Sequence, residues 1–458
     1  MKDLTQGPIP NHLISMAIPM MIGMFIQTLY FLVDLYFVGK LGDTALAGLS
    51  LAGNAMFLIF ALTQVLNVGT STLISHAVGR KDKADANLIF NQSLMIASCS
   101  GLVVCIGGYL GAESYLNIVS QDTATVQAGL NYLHWFIPCM ALQFMMVSIS
   151  AALRGTGIVK PTMIIQMLSI LVNIILSPIL ITGWGTGYEM GIAGAGFASS
   201  ISVVFAMVLL FYYFKTTEKY VGVDFSLWPF NARCLQKILG IGFPAGGEFF
   251  LMFAYMATIY WLIKGFGAEA QAAFGLGSRI MQSLFLPAMA LAFAAPAIAG
   301  QNYGAKKYQR VRETFTWSAI LTCSLMALLT LLCSYEATIL LQGFTDDPAV
   351  LMISVMFLQI ICWNFVPSGL VFTCSGLFQS LGNTWPALFS TSMRLLTFIV
   401  PALWLAKQPN FQIEQIWYIS VSSVGFQACI SLYLLRREFR KKLPRVEVVE
   451  QEVTEIIA

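Results

Sequence analysis

Residues 155–161 read Gly-Thr-Gly-Ile-Val-Lys-Pro, and residues 380–386 read Ser-Leu-Gly-Asn-Thr-Trp-Pro. The second glycine and the proline of the first stretch, Gly157 and Pro161, return as Gly382 and Pro386, 225 residues later. The same offset carries Pro19 to Pro244, Gly42 to Gly267 and Gly79 to Gly304. Ala45 and Ala47 return as Ala270 and Ala272. Each pair holds an equivalent place in a string of hydrophobic segments, in one order and with no gap. Self-similarity at one fixed offset marks a duplicated unit. In membranes, parallel repeats related by an axis along the membrane normal are a transporter signature.

The segments around these markers are apolar enough to cross a bilayer. The chain has 458 residues, of which 57% are hydrophobic and 10% charged. Mean hydropathy is +0.75, and soluble domains carry about 25% charged residues. A span needs about 20 apolar residues. Twelve segments qualify, near 13–39, 47–76, 88–110, 125–152, 161–182, 190–214, 235–263, 270–299, 315–335, 349–378, 386–406 and 412–435. The first run is too long for a cleaved signal peptide and reads as a signal anchor and first span. The fold class is therefore an all-α integral membrane protein, with twelve transmembrane helices in two pseudo-symmetric six-helix bundles. The expected division is a first lobe over 1–214, a connecting loop over 215–234, a second lobe over 235–436 and a tail over 437–458.

The net charge of +3 says little, because the charges are sorted by position. With the N-terminus inside, twenty basic residues fall on the cytoplasmic side, including Arg80, Lys81, Arg154, Lys306, Lys307 and the run Arg436 to Arg445. Only Lys40, Lys264 and Lys407 fall on the other side. Such a bias sets topology, here with both termini cytoplasmic and a plasma membrane (bacterial inner membrane) location. Nine cysteines are scattered through apolar runs without a CxxC pair, and His12, His76 and His134 sit in different segments. Neither a disulfide framework nor a metal site is indicated, and most of these cysteines read as small core residues. No HExxH or Gly-x-Ser-x-Gly motif points to an enzyme. Nothing indicates nucleic acid as a partner. The bilayer is the expected surrounding, and a monomer the expected state.

Polar residues break the apolar pattern at helical spacing. Gly23, Gln27, Tyr30 and Asp34 step by four, three and four along the first span, which puts them on one face. A carboxylate in a span costs about 2.5–3.5 kcal/mol on insertion scales unless paired or protonated. Gln166, Ser169, Asn173 and Ser177 make a second stripe on the fifth span, ahead of Pro178. Gln64, Asn67 and Ser71 make a third on the second span. The second half has one carboxylate well inside a span, Glu248, one turn after Pro244. Its seventh span is rich in Phe, Met and Tyr, among them Phe253 and Tyr255. Such surfaces adapt to varied apolar cations. Structural readings stand beside the functional ones: Asp34 as glue to an arginine or to Asn173, and Asn173 and Ser177 as helix–helix contacts. Glu248 could be solvated near the interface. Arg279 and Arg394 read as structural or headgroup cations, with Arg394 snorkelling to the near edge.

Four segments carry a family resemblance. They are Asp34 with Phe-Val-Gly-Lys-Leu-Gly-Asp-Thr-Ala-Leu-Ala at 37–47, Leu-Arg-Gly-Thr-Gly-Ile-Val-Lys-Pro at 153–161, Gly-Ile-Ala-Gly-Ala-Gly at 191–196, and Gly-Gln-Asn-Tyr-Gly-Ala at 300–305. With these, the chain resembles the multidrug and toxic compound extrusion (MATE) transporters over nearly its full length. The resemblance implies a V-shaped pair of lobes that export organic cations in exchange for inward H⁺ or Na⁺, with no other cofactor. It assigns the coupling ion to Asp34, with Tyr132, Asn173 and Ser199 nearby; Ser177 stands where many members have a second carboxylate. One negative charge instead of two favours H⁺. Gln27, Tyr30, Glu248 and Tyr255 are the expected substrate or second polar site. Members that use second-half acids place one about two turns after the proline and one in the tenth span. Here Glu248 is one turn past Pro244, and the tenth span has no acid. The alternative is a flippase or exporter of lipids or lipid-linked saccharides from the same superfamily.

Overall fold

The computed structural model describes residues 2–218, 220–344 and 347–444, without the side chains of residues 29–34. Among these residues the chain is helical and has no strand. The helices are α1 (Ile9–Gly39), α2 (Asp43–Gly79), α3 (Lys83–Val119), α4 (Thr123–Gly155), α5 (Lys160–Thr182), α6 (Ile192–Thr216), α7 (Ala232–Ile263), α8 (Ala268–Gly304), α9 (Tyr308–Leu341), α10 (Pro348–Ile361), α11 (Phe365–Ser380), α12 (Trp385–Leu405) and α13 (Ile413–Lys442). The 3₁₀ turn Cys362–Asn364 joins α10 and α11 into one apolar rod, so these helices make twelve candidate spans. The expected fold class is the one observed. Five of the nine cysteines are buried.

Local chemistry sets the helix ends. Asp82, Asp122, Asn231 and Asp347 each accept a hydrogen bond from a backbone N–H of the first turn that follows. Those amides have no partner inside the helix. Prolines inside α1, α4, α5, α7, α8 and α12 remove backbone bonds, a loss that membrane helices recover from neighbours.

The halves interlock through their first helices. α1 packs on α5 of its own half and on α8 of the other. α7 does the equivalent, on α12 and on α2. These contacts concentrate at the end that carries Arg80, Lys81, Lys306 and Lys307, called here the basic end. There α2 and α8 meet backbone to backbone: any Cβ on Gly79 would strike the Gln301 carbonyl, and any Cβ on Gly304 the His76 carbonyl. Gly69 faces the Ile238 carbonyl and Gly242 the Val65 carbonyl in the same way. Farther along, α2 and α7 still touch through Phe60–Phe249 and Phe57–Phe253, with ring centroids 5.6 and 5.0 Å apart. One turn beyond, a Cβ on Gly53 would meet nothing within 4 Å. The halves are thus joined at the basic end and part beyond Phe57, which is the V.

Candidate functional site

In the first half the α5 stripe turns inward against α6. Ser169, Asn173 and Ser177 are all buried. Ser177 Oγ donates to Asn173 Oδ1 at 3.0 Å, and Asn173 Nδ2 donates to Ser199 Oγ at 3.2 Å. One turn or so back, Ser169 Oγ donates to the Ser202 carbonyl at 2.7 Å. The Asn173 amide is therefore used at both ends, as burial requires; an unpaired buried polar group costs about 1–3 kcal/mol. Tyr132 is buried on α4 with its ring stacked on Phe136. Gly196 lets α6 come close there, since a Cβ would lie 2.5 Å from the Tyr132 carbonyl.

The side chains of Asp34 and Tyr30 lie outside the described residues; their backbone level can be read. α1 and α5 run parallel and touch at Gly23, where a Cβ would sit 3.4 Å from Met163 Cγ. Asp34 is eleven residues past Gly23, and Asn173 is ten past Met163. At 1.5 Å per residue these are rises of about 16 and about 15 Å. The backbone of Asp34 and the α5–α6 hydrogen-bond chain share one level. Gln27 is exposed and takes no part in the chain.

The α2 stripe closes on itself and on an arginine. Asn67 Nδ2 donates to Gln64 Oε1 at 2.7 Å, and the Arg154 guanidinium donates to Asn67 Oδ1. Sequence position groups Arg154 with the loop cations. It instead lies in the last turn of α4 with its head turned toward α2, where Asn67 accepts from it and is itself held by Gln64.

The second half holds a polar cluster that spacing does not reveal. Glu248 on α7 accepts from Ser375 Oγ on α11 at 3.0 Å and from Thr391 Oγ1 on α12 at 3.5 Å. Gln427 Nε2 on α13 donates to Thr391 Oγ1 at 3.1 Å. The Gln427 Oε1 is buried and has no hydrogen-bond partner among the described residues. Two turns along α7, the Tyr255 hydroxyl meets Ser420 Oγ at 2.7 Å. Arg394, expected to snorkel, instead covers the Tyr255 ring at 4.3 Å from its centroid. This exchanges water for a cation–π contact of about 0.5–2 kcal/mol. Glu248 makes no ion pair among the described residues. Glu248 and Tyr255 thus belong to one region of the second half, and Gln27 does not. No group of His, Cys, Asp and Glu able to hold a metal ion occurs among the described residues.

The geometry is that of a duplicated membrane bundle with unlike polar interiors. Residues 19–179 and 244–404 each match the MatE family model, at the offset of the sequence repeat. The chain belongs to the MatE family. It is a membrane transporter of that family and not an enzyme. Among MatE relatives, the chain is 24% identical over 430 residues to the probable multidrug resistance protein YoeA of Bacillus subtilis strain 168, covering 91% of this chain and 90% of that protein. It is 24% identical over 437 residues to the multidrug export protein MepA of Staphylococcus aureus strain N315, covering 94% and 95%. Solved MATE structures share the fold. One in a straight conformation aligns with a TM-score of 0.89 at 23% identity, over 96% of this chain and 98% of that one. A MOP superfamily transporter from Pyrococcus furiosus aligns with a TM-score of 0.89 at 22% identity, again over 96% and 98%.

Proposed function

We propose that this MatE transporter is a multidrug exporter: a cation-coupled antiporter, driven by H⁺ in preference to Na⁺, that moves organic and mainly cationic aromatic compounds out across the plasma membrane by alternating access. The basic end then faces the cytoplasm with both termini. The lobes of the V rock so that the basic end and the far end open in turn. The observation that carries this reading is the buried Ser177–Asn173–Ser199 chain at the backbone level of the one carboxylate in α1. The chain supplies hydroxyl and amide groups beside a group whose charge must be managed in a low dielectric.

Protonation of Asp34 from outside removes that charge and favours a different packing of α1, where Pro19 supplies the weak point. Bound substrate is displaced outward, and the emptied lobes rock inward. There the proton leaves and new substrate enters. Exchange requires the two ligands to favour different states. Substrate contact is assigned to α7, where Tyr255 and Arg394 face each other and Phe253 lies against Phe57 across the V. The multidrug names of YoeA and MepA support the substrate class. The test is uptake of ethidium into inverted proteoliposomes, driven separately by a proton gradient and a sodium gradient. Uptake with the proton gradient that is lost in Asp34→Asn supports the reading; wild-type uptake in that variant refutes it.

A further inference from the structure

Two hydrogen bonds between the halves are copies of one another. His76 Nε2 on α2 donates to the Ser380 carbonyl at 2.6 Å. Gln301 Nε2 on α8 donates to the Gly155 carbonyl at 3.0 Å. The 225-residue offset turns His76 into Gln301 and Gly155 into Ser380. The glycine contacts obey the same operation, with Gly79 against Gln301 and Gly304 against His76. Each half thus reaches across with a side-chain N–H to the last carbonyl of a helix in the other. A carbonyl can only accept, so the imidazole holds its proton on Nε2, and it donates there whether neutral or charged. Histidine and glutamine are interchangeable for this purpose.

The segment before α1 makes the two arms unequal. Leu4 N–H donates to the free end of the same Gln301 amide at 3.0 Å, and Asn302 Nδ2 donates to the Leu4 carbonyl at 3.2 Å. Lys307 Nζ donates to the Thr5 carbonyl and hydroxyl, and Arg310 Nη2 to the Gly7 carbonyl, at 2.9–3.1 Å. Leu4 is fully buried, in a core shared with Val159, Ile298 and Leu381. Within the segment, the Thr5 N–H and then its hydroxyl hold the Asp3 carboxyl below its usual range, so it stays charged near Lys81 and Lys307. Toward the first half the ties are fewer: Lys2 N–H donates to the Thr156 carbonyl at 2.9 Å, and the Lys2 backbone packs on Gly157. Gly157 has φ +79°, and a Cβ there would lie 2.9 Å from the Lys2 carbonyl oxygen.

We propose that residues 2–8 and the paired arms of His76 and Gln301 form a releasable latch that closes the basic end of the cleft. The segment stays with α8 and α9 when that end opens. The break runs between it and the turn 155–157, as Gln301 and Lys2 let go of Gly155 and Thr156 and His76 lets go of Ser380. The latch deepens the alternating-access reading above and rests on it for its role in transport.

The test uses the full chain in proteoliposomes, as the double variant Lys2→Cys, Gly157→Cys. Lys2 Cβ lies 3.2 Å from where a Cβ at 157 would stand, a few tenths of an ångström short of the usual disulfide range of about 3.5–4.5 Å. Oxidised and reduced forms of one protein are compared, so strain at position 157 cancels. Oxidation should keep ethidium binding within twofold and slow its transport at least tenfold, with recovery in reductant. Oxidised protein that transports as fast as reduced protein overturns the latch. A second measurement needs no transport. A membrane-impermeant maleimide should label Leu4→Cys, read by mass on its own peptide, at least fivefold faster when Gln301→Ala is added. An unchanged labelling rate overturns the latch even if ethidium proves not to be a substrate, so the two readings fail separately.

Discussion

In the first half, buried polar side chains lie on α5 and α6 at the level of Asp34; in the second, they gather around Glu248. The 225-residue offset places Glu248 on Gly23 and Asp34 on Ile259. Eleven residues of helix separate the two levels, about 16 Å along the axis. The second cluster thus sits much nearer the basic end. Asn173 and Ser177 map to Phe398 and Ala402, both buried apolar residues. Thr391, Arg394 and Gln427 map to Gln166, Ser169 and Ser202. The two interiors are polar at different depths, and depth decides cost: an acid near the bilayer centre is costly, and one near the interface much less so. Glu248 lies midway along α7 and Asp34 five residues from the end of α1, so Asp34 is favoured for the coupling role by its level beside the α5–α6 chain and not by depth. The second half is also more polar than its Phe and Met content implied.

Breaking this comparison starts with the acids. Asp34→Asn should reduce proton-driven ethidium transport to the liposome background, whereas Glu248→Gln, whose oxygen can accept from Ser375 while its NH2 donates toward Thr391 Oγ1, should lower it by about two- to fivefold; flux assays on the pair measure the contrast. Asn173→Leu removes the amide that joins Ser177 to Ser199 and should weaken coupling-ion affinity roughly tenfold, about 1.4 kcal/mol, read from the dependence of transport on external pH. Gly79→Val and Gly304→Val should each destabilise the fold by about 1–3 kcal/mol through overpacking at the α2–α8 crossing. Their melting temperatures in detergent should fall by similar amounts, because the two contacts are equivalent. Gln27→Ala, at an exposed position, should change stability by no more than about 0.5 kcal/mol.

The architecture was legible because each span is a long apolar run and the loop charges are strongly biased. The repeat added the pairing of halves, and the structure explains what it preserved: Gly79 and Gly304 stand where two helix backbones touch. The α5 stripe was legible from spacing, since Ser169, Asn173 and Ser177 share one face of one helix. The Glu248 cluster was not, because Ser375, Thr391 and Gln427 are single polar residues on three different helices. Only tertiary packing brings them together. The Arg154 contact was not legible for a related reason: a place at a helix end does not say which way the head turns. The His76 and Gln301 pair escaped because the repeat conserves a donor nitrogen there and not a residue type.

The most direct measurement of the central claim is ethidium transport in proteoliposomes under a proton gradient and under a sodium gradient, for the wild type, Asp34→Asn and Glu248→Gln. The account predicts transport driven by protons, abolished in Asp34→Asn and largely kept in Glu248→Gln. Transport driven by sodium alone, or lost in Glu248→Gln and kept in Asp34→Asn, would contradict it.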